Sequence, residues 1–161
     1  MQVLTSDQAR GWIGAWMPVE SLFGPTPPDM VLRRFDIPDY TAPVHTILRH
    51  AVSWLIVDRA SIVVWVHEYG VWDCLEDWNL YYRWRRSTGD TSVIEVAEGH
   101  LFMAHEAPDA VSLLLMARVF GWGFRAVSRN CRRAVEIDHD GRGVIVAEHD
   151  ADLASAPPEW R

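Results

Sequence analysis

Seven histidines, His45, His50, His67, His100, His105, His139 and His149, are the side chains best suited to acid–base or metal chemistry. A metal site needs two or three ligands converging, usually at short spacings such as i, i+4 on a helix, and the HExxH arrangement is absent. His100 and His105 stand five apart around LFMA, a separation that sends them to opposite faces of a strand. The neighbours His67 and Glu68 form the best single acid–base pair, provided a bulge near Gly70 turns both to one edge. With His100, His105 and Arg83 they define a candidate cleft walled by Trp65 and Trp84, which requires that the fold gather them around one hollow. The competing reading makes each a solvated or hydrogen-bonded side chain of the sheet. Nucleophilic chemistry has less support. There is no GxSxG, the GWG at 121–123 is too short for a phosphate loop, and Cys74 and Cys131 lack a partner motif and read as inert thiols. The sequence therefore assigns no catalytic residue, no metal and no cofactor.

Recognition chemistry is better represented. Nine tryptophans, at 12, 16, 54, 65, 72, 78, 84, 122 and 160, are too many for a central core, because Trp is rarely fully buried and its indole N–H seeks a partner. Some belong at a rim or an interface. The run Trp72, Asp73, Glu76, Asp77 and Trp78 mixes rings with carboxylates, and a second acidic group comprises Asp138, Asp140, Glu148, Asp150 and Asp152; solvated loops are the plain alternative for both. Between Trp78 and Arg86, aromatic rings interleave with Arg83, Arg85 and Arg86, a composition that suits sheet packing, a protein-binding face with Arg83 and Trp84 in it, or base stacking. The net charge of −7, from 22 acidic against 15 basic residues, works against phosphate backbones and makes nucleic acid an unfavoured partner. All of the basic residues are Arg, which most simply reflects a GC-rich coding sequence.

The elements that must position these groups follow from pattern. A length of 161 residues with 49% hydrophobic content fits one domain with a real core. Thr5, Ser6 and Asp7 can cap a short helix over 5–17 whose apolar face is Ala9, Trp12, Ile13 and Trp16. The proline-rich stretch 24–43 reads as an extended arm or structured loop. Helical periods follow at about 43–57, opened by Thr41 and Pro43, and at about 108–120, opened by Pro108 and Asp109 and closed by Gly121 and Gly123. Ser61–Val71 is dense in β-branched and aromatic residues, and Trp78, Leu80, Tyr82 and Trp84 alternate at period two, so both read as strands of one hairpin joined by DCLED. The competing reading of the second is a helix capped by Asp73 with Glu76 three residues on. A short strand at Val93–Val96 and strands at 124–128, 134–138 and 144–148 complete the set, the last two joined at Asp140-Gly141. The tail ASAPPEWR reads as loose, apart from Trp160 if that ring finds a pocket. The fold class expected is α+β, a mainly antiparallel sheet with the helices at 43–57 and 108–120 on one face. With two distant cysteines, no basic start followed by an apolar run, and no stretch long enough to span a bilayer, a cytoplasmic protein is expected. A single bridge between Cys74 and Cys131 stays open.

The segments EYGVWDCLEDWNLYYRWRRSTGD, EGHLFMAHEAPD and FGWGF, covering roughly residues 61 to 128, resemble a pattern shared by small bacterial proteins to which no activity is attached. The resemblance implies a one-domain bacterial protein and carries over no functional residue. Together with the acidity and the rings, the expectation is a small acidic protein-binding module, such as an immunity or inhibitor protein covering a basic toxin or effector, without catalysis of its own. The alternative is an enzyme or a small-ligand or metal binder using the His67, Glu68, His100 and His105 cleft. A homodimer through an exposed strand edge is also consistent with the sequence.

Overall fold

The computed structural model describes residues 1–14, 22–23, 29–37, 43–72, 76–128 and 132–160. The run IVVWVHE is apolar on both sides, and such a strand must be covered on both faces. It forms β3 (Ile62–Glu68), the third strand of a seven-stranded antiparallel sheet. The others are β1 (Gln2–Leu4), β2 (Val31–Asp36), β4 (Gly99–Phe102), β5 (Gly123–Ser128), β6 (Arg133–Ile137) and β7 (Arg142–Ala147), in the order β1-β4-β3-β5-β6-β7-β2. Five α-helices accompany them among the described residues: α1 (Ser6–Ile13), α2 (Pro43–Leu55), α3 (Trp78–Ser87), α4 (Ala107–Val119) and α5 (Asp150–Ala154). The class is α+β, as the patterning predicts.

Alternation along each strand divides the core in two. Ile62, Val64, Val66, Phe102, Phe124, Ala126, Val135, Ile137 and Ile145 face one way, where Leu48 and Leu55 of α2 and Leu113 and Leu114 of α4 cover them. Val63, Trp65, Leu101, Val127, Ala134, Val144 and Val146 face the other way, against Ala9 and Ile13 of α1. The two long helices thus share the expected face, while α1 takes the second. Because α2 leads into β3, α4 follows β4, and Ile62 pairs with Phe102, the end of α2 and the start of α4 are neighbours. The two helices run in opposite senses.

Several expectations are corrected. Residues 78–87 are helix α3 and not the second strand of a hairpin; Asp77 caps it, accepting the Leu80 N–H at 2.9 Å, whereas Asp73 lies outside the described residues. The helix wins because Trp78, Tyr81, Tyr82 and Arg85 fall at i, i+3, i+4 and i+7 on one inward face, leaving Leu80 and Arg83 in solvent. The pairing partners of β3 are β4 and β5, both distant in sequence. Residues 94–96 make a 3-10 turn, and the strand of that region is β4. Within the proline-rich stretch, Val31–Asp36 is an edge strand paired along its whole length with β7, its prolines standing on either side; 24–28 and 38–42 lie outside the described residues, as do Trp16, Cys74 and Cys131. The tail is also ordered by packing. Helix α5 precedes Trp160, which is 1% exposed, stacked on Phe35 at 4.8 Å and edge-on to Trp54 at 6.2 Å.

The first helix follows its capping signal. The Thr5 hydroxyl accepts the Gln8 N–H at 3.2 Å and the Gln8 side chain accepts the Thr5 N–H at 2.9 Å, a reciprocal capping box. The β6–β7 hairpin turns where Asp140-Gly141 predicts, with Gly141 at φ +85 in the left-handed region. No helix among the described residues is long and apolar enough to cross a membrane.

Candidate functional site

Chemistry-bearing side chains collect at one end of the sheet, where β3 ends, β5 begins and the β6–β7 hairpin turns. Pairing between β3 and β5 runs in register through Val66–Phe124 and then shifts, so that Glu68 meets Gly123 and His67 is the extra residue of a bulge. Gly123 completes the arrangement. A Cβ built there would stand 2.2 Å from Glu68 Oε2, so the carboxylate lies across the glycine on the face that Arg125, two residues on, also presents. The bulge thus acts at His67 itself, three residues before Gly70, and it brings His67 and Glu68 within each other's field.

Across the ladder Arg125 pairs with Glu136. The Glu136 carboxylate accepts from Arg125 Nε at 3.2 Å and Nη2 at 3.0 Å and from the Leu22 N–H at 2.6 Å, and its second oxygen stands 3.4 Å from His67 Nε2. Both members of the ion pair are nearly dry, at 3% and 1% exposed, a geometry whose benefit lies more in fixing positions than in net stability. Glu68 accepts the His139 N–H at 3.0 Å and lies 3.0 Å from His139 Nδ1. Two imidazole–carboxylate pairs, His67–Glu136 and His139–Glu68, therefore occupy neighbouring positions. They are tuned in opposite directions. Burial, reinforced by Arg125, holds His67 below its ordinary value in spite of Glu136, while the hydrogen bond that the His139 ring donates to Glu68 raises His139.

At the rim stands Trp72. Its ring covers Gly121, where a Cβ would meet Cδ1 at 2.8 Å, and lies 6.4 Å from the His139 ring, yet the residue remains 46% exposed. Val71 and Val119 are exposed as well. Asp140 is exposed and lies 3.5 Å from His139 Nε2, whereas Asp138 is buried and accepts the Arg142 N–H at 2.9 Å and Nε at 2.7 Å.

The remaining predicted residues are held in internal contacts or lie elsewhere. Glu76 accepts from Trp122 Nε1 and from the Gly70 N–H, both at 2.7 Å, and so ties the segment after β3 to the core. Asp77 is the cap of α3. Trp78 packs at 5.1 Å on Trp122, and Trp84 lies against His100 and Phe102. Arg83 is exposed on α3. Glu148 pairs with Arg132 and Asp152 with Arg133, and Asp150 is exposed at the start of α5.

The four-residue cleft does not assemble. His100 points to the opposite face, where it is fully buried; the Tyr81 hydroxyl donates to its Nε2 at 3.0 Å and accepts from Arg85 Nη1 at 3.0 Å. Burial drives His100 down to about 3, so it is a neutral acceptor. His105 is exposed in the 3-10 turn at 104–106, so the strand geometry expected for the His100–His105 pair does not apply. Among the described residues no group of three or more His, Cys, Asp or Glu could hold a metal ion. Sequence reasoning missed Arg125 and Glu136. Their signal was a charged residue in the middle of GFRAVS, and in RAVEI a second one beyond the opening Arg133, within strands otherwise built to be buried.

Comparison of the chain with family models, with curated proteins and with solved structures finds no match. The chemistry of the site is what a functional reading has to stand on.

Proposed function

We propose that this chain is a binding module for a basic protein, and that the end of the sheet around Trp72 is its contact face. The observation that carries this reading is Trp72 itself, a large ring left nearly half exposed although Gly121 and His139 support it from beneath. A rigid, amphipathic aromatic is the residue type that most often dominates a protein interface. Asp140 is exposed, although it is shared with His139 and with Arg142 at 3.3 Å, and together with the net charge of −7 it favours a cationic partner. A toxin or effector neutralised by an immunity or inhibitor protein is a partner of that kind, and binding it requires no catalytic apparatus. Affinity capture from host lysate with the wild-type chain and with Trp72→Ala tests the proposal. A basic polypeptide held by the wild type should lose affinity by at least about 2 kcal/mol in the variant, roughly thirtyfold, and be released by rising salt. Equal retention by the two chains, or retention of acidic proteins only, would count against it.

A second reading rests on the bulge. His67 and His139, one kept neutral and the other favoured as the cation, are differentiated as an acid and a base would be, on adjoining carboxylates. A small molecule that raises the melting temperature of the wild type and not of His67→Gln would favour this reading over a protein partner.

A further inference from the structure

Helices α2 and α4 lie antiparallel on one face of the sheet. Between them runs a groove of about 370 Å³, lined by none of the residues of the bulge or its rim. Burial sorts its walls. Val52 and Val111 are buried and Leu115 half-buried, forming an apolar floor, while His45, Arg49 and Ser53 are exposed along one side. Those three polar residues stand at i, i+4 and i+8 and so make a single stripe on α2. Helix α2 carries no acidic residue, and the one carboxylate of α4, Asp109, does not line the groove. Among the described residues no carboxylate pairs with Arg49, whereas Arg85, Arg125, Arg132, Arg133 and Arg142 all do have one. In a chain of net charge −7, this sets one guanidinium, with no carboxylate paired to it among the described residues, beside an apolar floor.

We propose that the groove between α2 and α4 binds a small apolar carboxylate, its chain on Val52, Val111 and Leu115 and its head group on the Arg49 guanidinium. The apolar floor suits the hydrocarbon chain of a medium-length acyl acid. A planar guanidinium takes a carboxylate through two parallel N–H donors, and an apolar concavity with few polar groups at its mouth is the usual form of a small-molecule site. This site is independent of the Trp72 face. Each can fail without the other.

The test is a titration of the full-length chain, followed residue by residue in ¹H–¹⁵N spectra, with octanoate, octan-1-ol and octylammonium as probes. Octanoate should shift resonances of α2 and α4, bind more tightly than the alcohol, and exceed the ammonium by the widest margin. Because Arg49 is exposed, Arg49→Ala keeps the fold; it should weaken octanoate about tenfold and leave the alcohol unchanged. Val111→Trp, checked for its native spectrum, should fill the floor and abolish binding. Octanoate affinity no greater than that of the alcohol, insensitivity to Arg49→Ala, or shifts centred on the Trp72 rim would each overturn the proposal. So would concentration-dependent dimerisation through α2 and α4 without octanoate binding, which would give the groove to a second copy of the chain.

Discussion

At Gly123 the absence of a side chain decides the geometry of the candidate site. Gly123→Ala would put a methyl group where the Glu68 carboxylate lies, forcing that carboxylate off His139. The expected loss is about 1–3 kcal/mol in a denaturant melt, with the His139 titration moving down toward an ordinary histidine. The same contacts fix the pH dependence. His67 and His100 titrate below 6.5 because burial disfavours their cations, so the unfolded chain takes up those protons first and stability is lost as pH falls below 6.5, the share from His100 extending down to about 3. His139 has the opposite sign. Its raised value gives stability that is complete below the unfolded value and fades as pH rises through the folded one. One NMR titration checks both, with His67 below 6.5 and His139 above it. A normal His139 would mean that Glu68 does not hold it. Of all this, the adjacency of His67 and Glu68 was legible in the sequence, since a pair needs only to be read. Their separate partners were not, because Glu136 and His139 are brought in by strand pairing.

Among the elements, α3 shows most plainly how local pattern misleads. WNLYYRWRR satisfies a period of two and a period of 3.6 equally well, and the choice falls to tertiary burial of Trp78, Tyr81, Tyr82 and Arg85. The capping carboxylate marks the outcome. Asp77→Ala should cost about 1 kcal/mol in thermal or urea melts, and Asp77→Asn much less. The tail makes a larger claim. Proline and small polar residues around 155–158 read as loose, yet Trp160 is clamped between Phe35 and Trp54, and the Phe35 ring in turn occupies the space over Gly143. Trp160→Ala should therefore destabilise the whole domain by about 3–5 kcal/mol in a urea melt, as a core truncation does. A change within a few tenths would show that the tail is not part of the core. Helices α2 and α4 were legible because each carries a long period, a proline start and no competing alternation. Short β1 and edge strand β2 were not, since three to six residues acquire strand character only from the neighbour they pair with.

For the molecule as a whole, the fold class follows from the mix of periods, but the order β1-β4-β3-β5-β6-β7-β2 does not, because β3 takes its neighbours from 34 to 66 positions away along the chain. That order creates the candidate face. It sets the end of β3 beside the β6–β7 turn and leaves Trp72 above both. The eight described tryptophans divide accordingly: Trp54, Trp65, Trp122 and Trp160 are buried, Trp12, Trp78 and Trp84 half-buried, and Trp72 is the exposed one. Of the rings expected at a rim, one is thus exposed among the described residues, and the proposed partner is basic because the chain is acidic. Hydrogen–deuterium exchange of the chain with and without the basic polypeptide it captures tests this most directly. Protection confined to residues 68–72, 119–123 and 138–142, and lost in Trp72→Ala, is the result expected. Protection centred on another face, or none on a chain that still holds its partner, would contradict a binding role for this end of the sheet.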